Sequence, residues 1–128
     1  MGNTKCGEVS RRARLGKGRQ FSEAAAIIEA LVDEKDLIDA YITLCVHAGI
    51  AAADAICCAR LGEHASGPGH DGAVPLLRKV DPKLASSLKV LLDMKTPAGY
   101  SDQPLSVLKR RQAKRAAESL MAAARTMA

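Results

Sequence analysis

Three histidines, one lysine and one tyrosine carry most of the chemistry this chain can offer. His47 belongs to a stripe with Asp39, Thr43 and Asp54, spaced by four, four and seven residues, which sets the four side chains on one side of a helix. Polar groups on so apolar a helix need partners, since one left buried and unpaired costs about 1 to 3 kcal/mol. His47 is then either a hydrogen-bonded core histidine with Thr43 beside it, or a ligand-lining acid–base group. His64 and His70 flank Gly67-Pro68-Gly69, with Asp71 adjacent. Glycines there let the backbone approach an anion at the next helix N-terminus; a plain turn is the other reading. Lys95 and Tyr100 fall where a helix gives way to a loop. They either contact a phosphate, or are a lysine answering helix C-terminal carbonyls and a tyrosine pinning the loop.

Cys45, Cys57 and Cys58 lie inside an Ala-rich helical pattern. Adjacent cysteines on a helix point about 100° apart, which disfavours a bridge between them, and no Cys-x2-4-Cys knuckle is present for zinc. They read as buried structural thiols. Cys6 lies in a basic N-terminal stretch and says little. No metal and no cofactor is expected.

The elements that must position these groups are helices. Of 128 residues 48% are hydrophobic but only 2% aromatic, so the core is built from Ala, Leu, Ile and Val, a helix-bundle composition that argues against sandwiches and barrels. This length supports a single domain. Residues 1–18 mix four glycines with five Lys and Arg, Arg19 following, and read as a flexible basic arm, leaving 19–128 as one bundle. Met-Gly-Asn-Thr-Lys-Cys begins like a myristoylation signal, but Cys6 stands where Ser or Thr is wanted.

Helix one runs from Gln20 to near Asp33 on Phe21, Ala24, Ala25, Ile28, Leu31 and Val32. Leu37 to Leu61 forms one long helix, apolar almost all round and therefore buried all round, in a bundle or a dimer of bundles, with Gly62 as its stop. Gly49 costs this helix about 1 kcal/mol relative to Ala, which close packing of another helix would explain. Glu63 to Gly72 is a loop and Ala73 to Val80 a short helix. Asp81-Pro82 restarts the chain as N-cap and first helical residue, and Pro97 ends that helix. After a loop from Thr96, Ser106 caps the last helix, whose seam is Ala113, Ala116, Ala117, Leu120, Met121 and Ala124. Arg110, Arg111, Lys114 and Arg115 take its opposite face. The pattern is thus all-α, an up-and-down four-helix bundle with an extra short helix.

A charge of +5 and a pI near 9.2 favour polyanions over acidic partners. The basic face of the last helix with the N-terminal arm is either a solvated surface or a footprint for RNA or DNA. The longest stretch without charged residues, Ala40 to Ala53, falls short of the roughly 20 residues of a membrane span. No membrane association and no secretion signal are expected, and the location expected is cytoplasmic.

Several features together resemble the HEPN domain (higher eukaryotes and prokaryotes nucleotide-binding). They are Ala40-Tyr41 through His47-Ala48, Gly69-His70, Asp81-Pro82, and above all Leu91-Leu92-Asp93-Met94-Lys95-Thr96-Pro97-Ala98-Gly99-Tyr100. The likeness spans roughly Gln20 to Ala124. It implies a homodimer and a loop motif, Arg-x4-6-His, that cleaves RNA without metal in toxins paired with a nucleotidyltransferase-type antitoxin. Carried over, the Arg falls on Lys95 and the His on Tyr100. Lysine holds a phosphate as a point charge without arginine's fork, and tyrosine is a poor proton acceptor at neutral pH.

The expectation is therefore a degenerate HEPN-type module, homodimeric, that binds a nucleotide, RNA or a partner protein. Lys95, Tyr100, His70, His47, Arg110, Arg111 and Lys114 are the candidate binding residues, and Lys95, Tyr100 and His47 the candidates if catalysis survives. A working metal-independent ribonuclease toxin and a purely structural helical dimer are the alternatives.

Overall fold

A helix with almost no polar face has to be surrounded, and the computed structural model, which describes residues 2–67 and 70–127, surrounds it. The elements are β1 (Asn3–Lys5), α1 (Glu8–Leu31), α2 (Ile38–Leu61), β2 (Glu63–Ala65), α3 (Ala73–Arg78), α4 (Pro82–Tyr100) and α5 (Val107–Thr126). The chain is an all-α bundle of four long helices and one short one, with a two-stranded antiparallel ribbon at one end. α2 touches every other helix. Gly18 of α1 meets Ala48, Gly49 meets both Leu91 and Leu120, and Arg110 lies over Tyr41. Arg14 beside Asp54 and Phe21 beside His47 run α1 antiparallel to α2, and Arg110 over Tyr41 with Leu120 beside Gly49 runs α5 parallel to it. Ile42, Val46, Ile56, Leu77, Leu88, Leu91, Leu120 and Met121 are fully buried at the centre, each contributing about 1.5 to 3 kcal/mol by leaving water.

Several ends are set by local chemistry, as expected. Asp81 accepts from the Lys83 and Leu84 amides with Pro82 in the first turn, Ser106 accepts from Lys109 N–H, and Gly62 closes α2 in the left-handed region. All six expected seam residues of α5 are buried.

Other expectations are corrected. Of the expected arm 1–18, residues 2–18 are no loose segment: β1 pairs with β2, with Thr4 opposite His64, and α1 begins at Glu8, with Arg11, Leu15 and Gly18 packed against the bundle. Glu63 to Ala65 is correspondingly a strand rather than loop. Of the expected Gly-Pro-Gly turn, Pro68 and Gly69 lie outside the described residues. α1 ends at Leu31, slightly before Asp33, and α3 ends at Arg78. Pro97 does not stop α4, which runs on to Tyr100; a proline one turn from the end sacrifices a single hydrogen bond. Cys6 and Cys58 form a disulfide with Cα atoms 5.5 Å apart, because Cys6 N–H donates to Gly62 O at 2.9 Å and holds the N-terminal strand beside the last turn of α2. Cys45 and Cys57 are buried free thiols.

Ile38–Leu61 is long and apolar enough to cross a membrane by length and composition, more so than its charge-free stretch alone suggests, and 78% of its most apolar window is buried inside the bundle. Ala52 and Ile56 are fully buried within one chain, so α2 needs no second copy to cover it.

Candidate functional site

α1 and α4 both lean on α2 and barely touch each other, which leaves the polar stripe of α2 as the floor between them. Asp39 accepts from Leu105 N–H at 2.9 Å and ties the start of α2 to the segment before α5. Thr43 donates to Asp39 O rather than to His47. His47 is half-buried and stacks against Phe21 of α1, with ring centroids 5.2 Å apart. Asp54 is buried, 3.6 Å from the Arg14 guanidinium. Burial holds the Asp54 carboxyl above its ordinary range, against the opposing pull of His64 and Arg14.

His70 completes the group. It precedes α3 with φ 60, a left-handed backbone that is uncommon outside glycine. Its pKa is lowered, first by burial and then by the fields of Lys95, His47 and Arg14, with Asp71 opposing. The fields of Lys95, His47 and Arg14 all reach His70, so four segments contribute to one polar region in which Arg14 and Lys95 face Asp54 and Asp71.

At its Lys95 end this cluster opens into a cavity of about 530 Å³ between α3 and α4. Val74, Ala85 and Leu92 give it apolar walls, and Ser86 and Thr96 add hydroxyls. Lys89 on its rim is held by Asp93 at 2.6 Å, whereas Arg78 and Lys95 make no ion pair among the described residues. Val74 and Arg78 on one face of α3, with Asp71 just before the helix, oppose one face of α4 across this cavity. Arg78 and Lys95 mark the two ends of this groove. Lys95 sits inside α4, not past its end, so it has no terminal carbonyls to answer.

Lys95, His70 and His47 are therefore brought together, and the other candidates are not. Tyr100 follows Lys95 by five residues on one continuous helix, about 140° round the axis, and is 82% exposed at its end. It neither joins the cluster nor pins a loop. Arg110 is not on a solvent face: it is 3% exposed, its guanidinium lies 4.1 Å over the Tyr41 ring, and Nη1 is 3.9 Å from Glu34. Arg111 makes a two-pronged pair with Glu34 at 2.7 Å, and Lys114 meets Glu29 at 2.6 Å. Lys114 thus joins α5 to α1, while Arg110 and Arg111 tie α5 to the turn between α1 and α2, Arg110 also to Tyr41 of α2.

Arg14, Arg78 and Asp54 were not singled out together from sequence, where an arginine in a basic stretch or at the end of a short helix looks unremarkable. His64 is buried in β2 with Nδ1 2.9 Å from Ala65 O, not loose in a loop. Among the described residues no three His, Cys, Asp or Glu side chains converge to hold a metal. No protein-family model and no curated protein matches the chain.

Proposed function

We propose that this chain is a degenerate HEPN-type module that binds a phosphate-bearing ligand, a nucleotide or RNA, without cleaving it. The observation that carries this reading is the α3–α4 cavity, lined by Arg78 and Lys95, which make no ion pair among the described residues, with His70 next in sequence to Asp71 of its lining and within the field of Lys95. A phosphate there meets two permanent cations without an ion pair among the described residues, Arg78 and Lys95, with the His70 imidazole close to Lys95 and able to donate. The cavity's apolar walls suit a base or sugar. Tyr100 stands away from Lys95, which removes the pairing on which the family's cleavage motif depends.

One observation favours a second reading, a metal-independent ribonuclease. Two histidines and a lysine in one cluster match the acid, base and charge-stabilising roles of phosphodiester cleavage, and a depressed pKa keeps His70 neutral and ready to accept a proton. One experiment treats both. Purified protein is titrated with labelled tRNA, mRNA fragments and nucleoside monophosphates in EDTA, beside Lys95→Ala and Tyr100→Phe. Binding without cleavage, weakened by salt and by Lys95→Ala but not by Tyr100→Phe, is expected. Cleavage lost with Lys95→Ala transfers the conclusion to the ribonuclease, and no binding at low salt overturns both.

A further inference from the structure

The N-terminal strand owes its place to one covalent bond. β1 packs against β2 with all three of its residues exposed. Its side-chain ties are at the surface: Asn3 Nδ2 donates to Glu63 at 2.5 Å, and Ser66 Oγ donates to Gly2 O at 2.7 Å. A two-stranded ribbon is marginal by itself in water, and this one has only three residue pairs. The Cys6–Cys58 disulfide holds the end of β1 where β2 begins, beside the hydrogen bond from Cys6 N–H to Gly62 O. α1 does not share this dependence, because Arg11, Leu15, Gly18 and Ala25 seat it on the bundle.

On its other side β2 packs against α3. Ala65 Cβ stands 3.8 Å from where a side chain on Gly72 would begin. Asp71 and Val74, on either side of Gly72, line the α3–α4 cavity. Contact thus passes from the disulfide, through β1 and β2, to one wall of that cavity.

The two bridged sulfurs differ in access. Cys58 is buried, whereas Cys6 is half-buried. Thiol–disulfide exchange requires a thiolate to reach one sulfur, and Cys6 Sγ is the one within reach. A thiolate of a dithiol reductant attacks Cys6 Sγ, the Cys6–Cys58 bond breaks, and Cys58 leaves as a thiolate that takes up a proton. The second thiol of the reductant then attacks the mixed disulfide, releases Cys6 as a thiol and closes the reductant into a disulfide. Two electrons pass to the protein. Cys45 and Cys57 are buried and take no part.

We propose that the Cys6–Cys58 bridge is a redox clasp: a dithiol reductant opens it, β1 leaves β2, the start of α3 loosens, and the α3–α4 cavity weakens its hold on a ligand. The last step rests on the reading of that cavity as a phosphate site; the opening of the ribbon does not.

Amide hydrogen exchange of the full chain, oxidised and then treated with dithiothreitol, tests the clasp. At times too short for the buried turns of α4 and α5 to exchange, reduction is expected to speed exchange in residues 3–5, in residues 63–65 and in the first turn of α3 by about tenfold or more, and reoxidation to reverse it. Cys6→Ser is expected to show the fast exchange without reductant, its helical circular dichroism unchanged, and Cys57→Ser to respond as the wild type does. A labelled nucleoside monophosphate is expected to bind the reduced protein severalfold more weakly. Equal exchange in the two redox states overturns the clasp, whatever the ligand does. An opened ribbon with unchanged exchange at the start of α3, or with unchanged affinity, overturns its link to the cavity. A protein that binds no nucleotide in either state overturns the phosphate reading, and exchange then decides the clasp.

Discussion

Leu91 of α4 seats a methyl group in the notch where Gly49 of α2 lacks a side chain, and Cδ1 of Leu120 closes the same notch 3.2 Å from where a Cβ would stand. Both leucines are fully buried and cannot step aside. Gly49→Ala gains about 1 kcal/mol of helix propensity, yet overpacking costs about 1 to 3 kcal/mol, so a net loss of about 1 kcal/mol is expected in urea unfolding. Gly18 provides the control. A methyl there meets the Met121 thioether at 2.8 Å, an unbranched side chain that can shift, and Ala48 O at an ordinary 3.5 Å, so Gly18→Ala is expected to cost less than Gly49→Ala.

The Cys6–Cys58 bridge joins residues 52 apart in sequence, and closing so long a loop lowers the entropy of the unfolded chain. Denatured but unreduced protein is expected to show two titratable thiols, Cys45 and Cys57, and four after reduction. Cys6→Ser is expected to cost about 2 to 4 kcal/mol, read as a lower urea midpoint. Burial raises the Cys45 and Cys57 thiols to about 12, so both should resist alkylation of the native protein at neutral pH.

Arg110→Ala uncovers the Tyr41 ring and removes a buried aliphatic stem, with an expected loss of about 2 kcal/mol. Arg110→Lys does not rescue it, because an ammonium cannot lie flat on the ring. Neither change is expected to alter phosphate-ligand affinity, since Arg110 lies away from the α3–α4 cavity. A loss of affinity with fold intact would return Arg110 to the binding surface.

His70 makes binding and stability respond to acid in opposite senses. Its folded pKa lies below the ordinary 6.5, so as pH falls the unfolded chain takes the proton first and the native state loses stability; raising pH restores it. A bound phosphate favours the protonated ring, so affinity is expected to rise several-fold from about pH 7.5 to about pH 5.5. His70→Asn, which tolerates the left-handed backbone, should flatten both trends. An unaltered pH dependence of binding in that variant would remove His70 from the site.

Much of the fold was legible because the signals are local. Asp81-Pro82, Ser106 and Gly62 act within a turn of themselves, and the seam from Ala113 to Ala124 follows from helical period alone. The unbroken apolarity of α2 demanded that it be enclosed, and Gly49 pointed to the close approach that Leu91 makes. The polar stripe of α2, with His47, His70 and Lys95, was visible as separate candidates. Their meeting was not, since it depends on how α1 and α4 straddle α2.

What only the tertiary structure decided are relations between distant residues and local costs that packing outweighs. The Cys6–Cys58 bridge follows from β1 pairing with β2, which nothing near either cysteine announces. Arg110 reads as a surface cation until Tyr41 supplies a face and Glu34 a counter-charge. Pro97 reads as a stop, yet the helix holds through it, because one lost hydrogen bond near an end is small beside the burial of Leu88, Leu91 and Met94. The sequence by itself determined which side chains needed burial or partners; the packed bundle decided which partners they found.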